Sequence, residues 1–400
     1  MKAVILAAGE GSRLKPFTAT RPKVMIPVGN KPILEYVINA LQESGIVDII
    51  MVVGYKREKI MDYFGDGHDW GVNITYVEQL QQLGTAHALR QSSHFLKDHF
   101  LVINGDTIID SSAIKEIMRH RVGDAAMLTV NVENAQKYGV VKTQNGLVKS
   151  IEEKPKGEDV GNTVNAGVYR FSPRIFEFLE FMEISERGEY EITDAIKKMI
   201  FEEYPVKAVP STATWLDALY PGDLIDMNTA VLRERKLRVK GHVEEGARIV
   251  GPVGIGENSL IMAGSYIVGP VCIGDNCDIG PNSVILPSTS IGSNCTIEPF
   301  TRISNSILMN NVKVSSFSYI SRSILGEGTC VGPAFIAESD NTKIAVDERL
   351  VPANIGAIVG DDADIKGRVI VRPGNVIGAR SRVGSGATVL ANVPDNTRIL

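Results

Sequence analysis

A chain of 400 residues exceeds one ordinary hydrophobic core, and at roughly 150 residues per domain it predicts two or three. Apolar residues at 44% and charged residues at 22% exclude a largely disordered chain, and no apolar run approaches the ~20 residues that cross a bilayer. Lys+Arg 42 against Asp+Glu 47 leaves a net charge of −5, which argues against nucleic acid or an anionic membrane as partner.

The start MKAVILAAGEGSR is apolar but too short for a signal-peptide core, and it runs into glycines and Arg13. It reads as a first strand, with a cytoplasmic location expected. The pattern then alternates. KPILEYVINALQESG predicts a helix ending at Gly45, VDIIMVVG a strand, KREKIMDYF a helix and NITYV a strand. GTAHALRQSSHFL predicts another helix and HFLVINGD another strand. Aliphatic strands separated by helices point to a mostly parallel sheet covered on both faces, with ligands beyond the C-terminal strand ends. The turns AAGEGSR and NGD follow strands directly and belong on that face. Further on, PGDLIDMNTAVLRERK places Leu224, Ile225, Val231 and Leu232 on one side of a 3.6-residue period, predicting a connecting helix that opens near Pro221.

Beyond it the chain changes character. Both tryptophans (Trp70, Trp215) precede this point, all 4 cysteines follow it, and no histidine occurs after His242. From Val243 a β-branched aliphatic residue recurs every sixth position through Ile249, Ile255, Ile261, Ile267, Ile273, Ile279, Ile285, Ile291, Ile297 and Ile303. A second run in a new register reads Val359, Ile365, Val371, Ile377, Val383 and Val389. Six helical steps of about 100° leave a residue about 120° off its face, so no α-helix keeps this period. A hexapeptide solenoid does, with three six-residue faces per coil. Small residues such as Ser259, Ser265, Cys277, Ser283, Cys295 and Thr301 fall at the crowded turns. Cys277 and Cys295 lie one coil apart and read as stacked small interior residues; neither has His or Asp at metal-ligand spacing. Four cysteines make no disulfide framework.

Candidate chemistry lies in the first part. Gly9 and Gly11 open a turn after the first strand, and such a turn lets backbone N–H groups approach phosphates. Arg13 and Lys23 add positive charge. Asn104-Gly105-Asp106 and Trp215-Leu216-Asp217 supply carboxylates, and Glu153-Lys154-Pro155 sets a lysine beside an acid. Each has a plainer reading: Asp106 stabilises a turn, Asp217 caps the connecting helix, Lys154 is a solvated surface lysine, Asn165 and Gly167 shape a turn, and Gln79, Gln82 and Gly84-Thr85 form a polar edge and a helix cap. Their joint occurrence in this order makes those readings improbable together.

LAAGxGSRL, PK, QLGTAHAL, NGD, EKP, NAG and WLD together resemble the sugar-1-phosphate nucleotidylyltransferases. With the solenoid, the chain is most similar to the archaeal bifunctional N-acetylglucosamine-1-phosphate uridylyltransferase/glucosamine-1-phosphate acetyltransferases, and next to the glucose-1-phosphate thymidylyltransferases. The resemblance implies a Rossmann-like, mostly parallel α/β nucleotidyltransferase domain over 1–220, a connecting helix over 221–241 and a left-handed parallel β-helix over 242–400. It implies transfer of a nucleotidyl group from UTP or dTTP to N-acetylglucosamine 1-phosphate or glucose 1-phosphate. Ala7, Ala8, Gly9 and Gly11 would hold base and phosphates, and Gln79, Gln82, Gly84 and Thr85 the pyrimidine edge. Arg13 would steady pyrophosphate, Lys23 the reacting phosphates and Lys154 the sugar phosphate. Gly139, Glu153 and Asn165 would position sugar hydroxyls, and Asp106 and Asp217 would hold Mg²⁺.

In the bifunctional relatives the solenoid transfers acetyl from acetyl-CoA, with a His-x-x-Tyr histidine as base. This chain reads Ser316-Phe317-Ser318-Tyr319: the tyrosine matches and the histidine does not. The stretch CVGPAFIAESDNTKIAVDERL also departs from the expected pattern, and Glu338 is a weak substitute base. The favoured expectation is a solenoid that assembles a homotrimer; acetyl transfer with an unusual base is the alternative, and acetyl-CoA is expected only under it. A wholly non-catalytic regulatory subunit would have no need of five converging charged groups.

Overall fold

The computed structural model describes residues 1–120, 123–155, 160–180, 182–185, 187–235, 238–346 and 349–400. Lys236 and Leu237, within the expected connecting segment, and Asp347 and Glu348, within the departing solenoid stretch, lie outside the described residues. Contacts divide the chain into two compact units, Met1–Glu10 with Ile33–Asp217, and Gly11–Pro32 with Ala218–Leu400. The second unit therefore includes an early segment that no repeat in the sequence marks as part of it.

The first unit is built on a nine-stranded sheet in the order Asn73–Glu78, Asp48–Val53, Ala3–Ala7, Phe100–Asn104, Thr163–Phe171, Ala125–Asn131, Val206–Pro210, Leu147–Glu153, Gly139–Gln144. The first four strands are parallel, with Val4 opposite both Ile50 and Val102. Ala3–Ala7, Asp48–Val53 and Phe100–Asn104 carry buried aliphatic runs, as strands covered on both faces do, while the edge strand Asn73–Glu78 is half-exposed. Helix Ile33–Glu43 contributes Leu34, Val37, Ile38 and Leu41 to the interior. It stops where expected: Gly45 takes φ 80°, and the N–H of Ile46 returns to the Leu41 carbonyl at 3.0 Å.

Thr163–Phe171 breaks the parallel order by pairing antiparallel with Phe100–Asn104. An antiparallel strand brings its beginning to the end of its neighbour. Asn165, Ala166 and Gly167 consequently arrive beside Asn104, at the edge where the parallel strands finish. The ladder to Ala125–Asn131 is irregular between Asn165 and Tyr169, which marks a bulge at this point.

In the second unit, helix Pro221–Glu234 buries Leu224, Ile225, Val231 and Leu232, as its period requires. Its first turn is capped by Asp223, whose Oδ2 accepts the N–H groups of Leu219 and Tyr220 at 2.9 and 2.8 Å. The capping role open to Asp217 is thus filled by another residue. Among the described residues no helix is long and apolar enough to cross a membrane.

The repeat folds into three parallel sheets of nine, eight and seven short strands. Ile255 lies over Ile273 and Ile273 over Ile291, each one 18-residue coil apart. The every-sixth residues form three stacked columns, one per sheet, that fill a single interior, and Ile261, Ile267, Ile279, Ile285 and Ile303 are fully buried. Small residues satisfy the corners: Ser259 Oγ donates to the Gly274 carbonyl at 2.7 Å and accepts the Cys277 N–H at 2.9 Å. Cys277 and Cys295 are buried free thiols pointing at the carbonyls of Gly292 and Met309, at 3.0 and 3.2 Å. The change of register between the two runs has a simple cause. Leu308 follows Ile303 and Leu325 follows Ile320 by five residues, so Ile291 pairs with Leu308 and Leu308 with Leu325. An antiparallel hairpin, Asp340–Val346 with Arg349–Ile355, is then inserted before Val359 pairs with Leu325.

Replacing Ile285 by Ala removes interior volume that neighbouring coils cannot fill. Chemical denaturation should show a loss of about 2–5 kcal/mol, whereas the substitution Lys313→Ala at an exposed strand position should cost far less.

Candidate active site

Three clusters of the first unit meet where its strands end. The first surrounds the turn after Ala3–Ala7. Ala8 offers its carbonyl to the Tyr55 N–H at 3.0 Å, which joins the turn to the end of the neighbouring strand. Gly54 there must be glycine, since a Cβ would lie 2.9 Å from the Ala8 carbonyl oxygen and 2.8 Å from Gln82 Nε2. Gln79 is 3% exposed, and its amide donates to the Gly84 carbonyl at 3.1 Å and lies 2.9 Å from His87 Nδ1. Gly84 takes φ 107°, and a side chain there would start 2.5 Å from the Tyr190 carbonyl oxygen. Thr85 Oγ1 accepts the Ile192 N–H at 3.1 Å. Ala7, Ala8, Gln79, Gln82, Gly84 and Thr85 are thereby drawn together, while Gly9 remains open, with nothing within 4 Å of its Cβ position.

The second cluster holds the two expected carboxylates. The Gly105 N–H donates to the Leu6 carbonyl at 2.9 Å, tying the Asn104–Asp106 turn to the first strand. Strand Trp215–Asp217 pairs antiparallel with Thr107–Ile109, and Asp217 stands opposite Thr107. The backbone of Asp217 therefore lies one residue from Asp106, although the two are far apart in sequence. Among the described residues, no group of three or more His, Cys, Asp or Glu side chains is gathered as for a metal ion. Two carboxylates borne on neighbouring backbone positions fit an ion that takes its remaining oxygens from phosphate and water, as Mg²⁺ commonly does.

The third cluster lies at the other edge of the same strand ends. Glu153 pairs with Gly139, where a Cβ would fall 2.7 Å from the Glu153 Oε1. Lys154 follows with φ 47°, and its N–H donates to the Tyr138 carbonyl at 3.0 Å. This left-handed backbone is uncommon for a lysine and turns the chain sharply at that residue. Asn165 donates from Nδ2 to the Tyr169 hydroxyl at 2.7 Å and accepts the Gly167 N–H at 3.0 Å. Burial pushes the Glu153 carboxyl up, and Glu191 adds to this, while Arg187, Thr193 and Lys154 pull it back.

Side chains link the clusters. Trp215 Nε1 donates to the Ala166 carbonyl at 2.9 Å and packs edge-on to Tyr138 with centroids 5.3 Å apart. Gly167, at φ 71°, leaves room for Asn104, whose Nδ2 would lie 2.4 Å from a Cβ. Sequence reasoning missed Arg187 and Glu191, which pair at 3.1 Å with Arg187 also 3.9 Å from Glu153. It also missed Tyr138 and Tyr169. None of these stands in a local pattern that announces a site.

Gly11, Arg13, Lys23 and Tyr319 belong to the second unit. Gly11 takes φ 76°, and its Cβ position lies 2.6 Å from Lys23 Cβ, so glycine permits the close pass of these two strands of chain. Arg13 sits in the 3-10 turn Ser12–Leu14, closed by the Leu14 N–H on the Gly11 carbonyl at 3.0 Å. Lys23 is 9% exposed. In the solenoid, the Arg302 guanidinium lies 5.1 Å from the centre of the Tyr319 ring. Ser316, where a histidine was expected, donates from both N–H and Oγ to Glu298 Oε2 at 3.0 Å.

Comparison with known proteins places this arrangement. The nucleotidyl transferase family model matches residues 2–234, and that of the GMPPB C-terminal domain matches residues 267–383. A Methanococcus maripaludis protein named bifunctional protein GlmU is 40% identical over 99% of this chain and 96% of its own length. The protein of the same name from Methanocaldococcus jannaschii is 35% identical, over 99% and 97%. The low-salt glycan biosynthesis nucleotidyltransferase Agl11 of Haloferax volcanii is 38% identical over 65% of this chain and 74% of its own. A crystal structure of a Bacillus anthracis protein assigned as a glucose-1-phosphate thymidylyltransferase covers 60% of this chain and 98% of its own, with 30% identity and a TM-score of 0.54. The match over more than half the chain, and the near full-length relatives, establish that this enzyme belongs to the nucleotidyl transferase family, among the sugar-1-phosphate nucleotidyltransferases.

Proposed function

We propose that the protein joins UTP or dTTP to a hexose 1-phosphate, releasing pyrophosphate, with N-acetylglucosamine 1-phosphate and UTP as the favoured pair. An oxygen of the sugar phosphate attacks the α-phosphorus in line. A new P–O bond forms, and the bond to the β-phosphate breaks as pyrophosphate departs. No protein nucleophile or general base is needed, because the attacking group is already an anion.

The difficulty is repulsion between two polyanions: two unit charges 4 Å apart cost about 4 kcal/mol at an effective dielectric of ~20. The proposed roles answer it. Arg13 steadies the departing pyrophosphate, Lys23 the reacting phosphates and Lys154 the sugar phosphate. Ala7, Ala8, Gly9 and Gly11 cradle base and phosphates. Gln79, Gln82, Gly84 and Thr85 read the pyrimidine edge, and Gly139, Glu153 and Asn165 orient the sugar hydroxyls. Asp106 and Asp217 would hold Mg²⁺, which when bound lowers the charge opposing the approach of the two phosphates. The observation that carries the reading is the ladder setting Asp217 opposite Thr107, beside Asp106. Uracil and thymine differ by one methyl group, worth about 1 kcal/mol in a pocket, so the base is not decided by these residues.

For the solenoid we propose a role in assembling a cytoplasmic homotrimer. The near full-length likeness to proteins named bifunctional favours the second reading, acetyl transfer to glucosamine 1-phosphate. Against it stands Ser316, a hydroxyl tied to a carboxylate where a base of near-neutral pKa would serve.

A pyrophosphate-release matrix of four triphosphates against several sugar phosphates should show turnover confined to pyrimidine triphosphates and a hexose 1-phosphate; silence across the matrix would end the proposal. A parallel thiol-release assay with acetyl-CoA and glucosamine 1-phosphate should give no signal. Asp106→Asn and Lys154→Ala should keep the far-UV spectrum and unfolding midpoint while turnover falls by about two orders of magnitude or more. Sedimentation at micromolar concentration should return a trimer.

A further inference from the structure

Segment Gly11–Pro32 carries Arg13 and Lys23, and the structure fastens it to the solenoid at two places. At one end, the Gly29 N–H donates to Asn228 Oδ1 at 2.8 Å, and Asn30 Nδ2 donates to the Ile291 carbonyl at 2.6 Å. Asn228, on helix Pro221–Glu234, is fully buried and its Nδ2 donates to the solenoid carbonyl of Ser288 at 2.9 Å. At the other, Arg21 Nη2 donates to Asp361 Oδ2 and, at 2.9 Å, to Glu327 Oε2. Thr20 Oγ1 donates to the same Asp361 oxygen. The Asp361 side chain is 4% exposed and that of Arg21 13%, so Arg21 neutralises Asp361 in place of water, and Glu327 shares the guanidinium.

The solenoid does not itself need a carboxylate at position 361. Three other corners along the same column use one acceptor to receive a backbone N–H of an adjacent coil, whereas the equivalent corner Ala379 has none. Asp275 Oδ1 takes that of Glu257 at 2.7 Å, Ser293 Oγ that of Asp275 at 3.1 Å, and Asn310 Oδ1 that of Ser293 at 2.9 Å. Asp361 Oδ1 takes that of Glu327 at 2.9 Å. Serine, asparagine and aspartate all serve. Only the second oxygen of Asp361 is spent on Thr20 and Arg21, a use unconnected with building coils. Arg21 is joined through Pro22, whose φ is fixed by its ring, to Lys23, which opens the 3-10 turn Lys23–Met25. The step from the clasp to the lysine is one stiff residue long.

We infer that Asp361 and Arg21 are positioning residues for nucleotidyl transfer, through which the solenoid fixes the place of Lys23. The inference rests on the proposed phosphate role of Lys23. It gives the solenoid a task in the transfer reaction itself, separate from assembly or acetyl transfer.

The test uses the full chain and pyrophosphate release. Asp361→Asn keeps the acceptor for the Glu327 N–H and removes the more buried of the two carboxylates that Arg21 meets. It should lower kcat about tenfold or more while the KM for sugar 1-phosphate and the unfolding midpoint stay near the parent's. Asp275→Asn, the same change at an equivalent corner, should leave kcat unchanged. In a Lys23→Ala background, Asp361→Asn should have no further effect, since it acts through the missing lysine. Parental kcat in a folded Asp361→Asn protein overturns the inference, and so does an equal fold-loss with and without Lys23. If Asp361→Asn does not fold, Arg21→Gln is read by the same two criteria. A parental rate in Lys23→Ala alone is a different result: it removes the phosphate role of Lys23, and the clasp proposal with it.

Discussion

The arrangement of the first unit depends on one reversal of strand direction. Four parallel strands carry Ala7, Val53 and Asn104 to a common edge, and a fifth strand running in the same direction would have continued that edge with its C-terminal end. Thr163–Phe171 instead runs antiparallel, and the bulge between Asn165 and Tyr169 leaves Asn165–Gly167 irregular beside Asn104. The Ala166 carbonyl then receives Trp215, whose strand sets Asp217 against Thr107. The backbones of Asp106 and Asp217, more than a hundred residues apart in sequence, are brought close through two ladders. Such ladders fix register by hydrogen bonds and do not rely on the side chains they bring together.

Close backbone approach is the second constraint, and it explains the glycines that count. Gly167 admits Asn104, Gly84 admits Tyr190, and Gly11 admits Lys23; each has a positive φ, and at each a Cβ would lie within 2.6 Å of its neighbour. Lys154 takes the same kind of backbone without being glycine, at a point where the strand ends and its N–H turns back to Tyr138. A lysine held in a disfavoured conformation suggests that its side chain is worth the strain, which agrees with the proposed contact to the sugar phosphate.

Much of this was legible in the sequence, and the reasons are physical. The every-sixth pattern stood out because an interior column tolerates only aliphatic residues and no helix shares its period; Ile261 through Ile303 are buried as it requires. It became illegible between Ile303 and Val359, because two shortened corners and a hairpin each shift the register while leaving the stacking intact. Ala7, Gln79, Asp106, Lys154 and Asp217 were legible as parts of ordered motifs. Arg187 and Glu191 were not, since an ion pair reaching Glu153 from a distant segment leaves no local signature. Membership of Gly11–Pro32 in the second unit was equally hidden: Arg21 in sequence is one surface-type arginine among many, and only the fold supplies Asp361.

A repeat architecture makes such a partner easy to supply. Each corner in the column of Asp275, Ser293, Asn310 and Asp361 must satisfy one N–H, and any short side chain with an acceptor does so. The residue type at that position is therefore only loosely constrained by the coil. A corner that meets another segment can take a carboxylate at no cost to the stacking, because the second oxygen is surplus to the ladder. Asp361 uses that surplus on a largely buried guanidinium, which Glu327 also meets at 2.9 Å. The opposite assignment, a carboxylate on the early segment and an arginine at the corner, would leave the coil's N–H without its acceptor. The equivalent corner at Ala379 has no side-chain acceptor, so the coil tolerates that loss; the aspartate at 361 serves both the Glu327 N–H and the guanidinium.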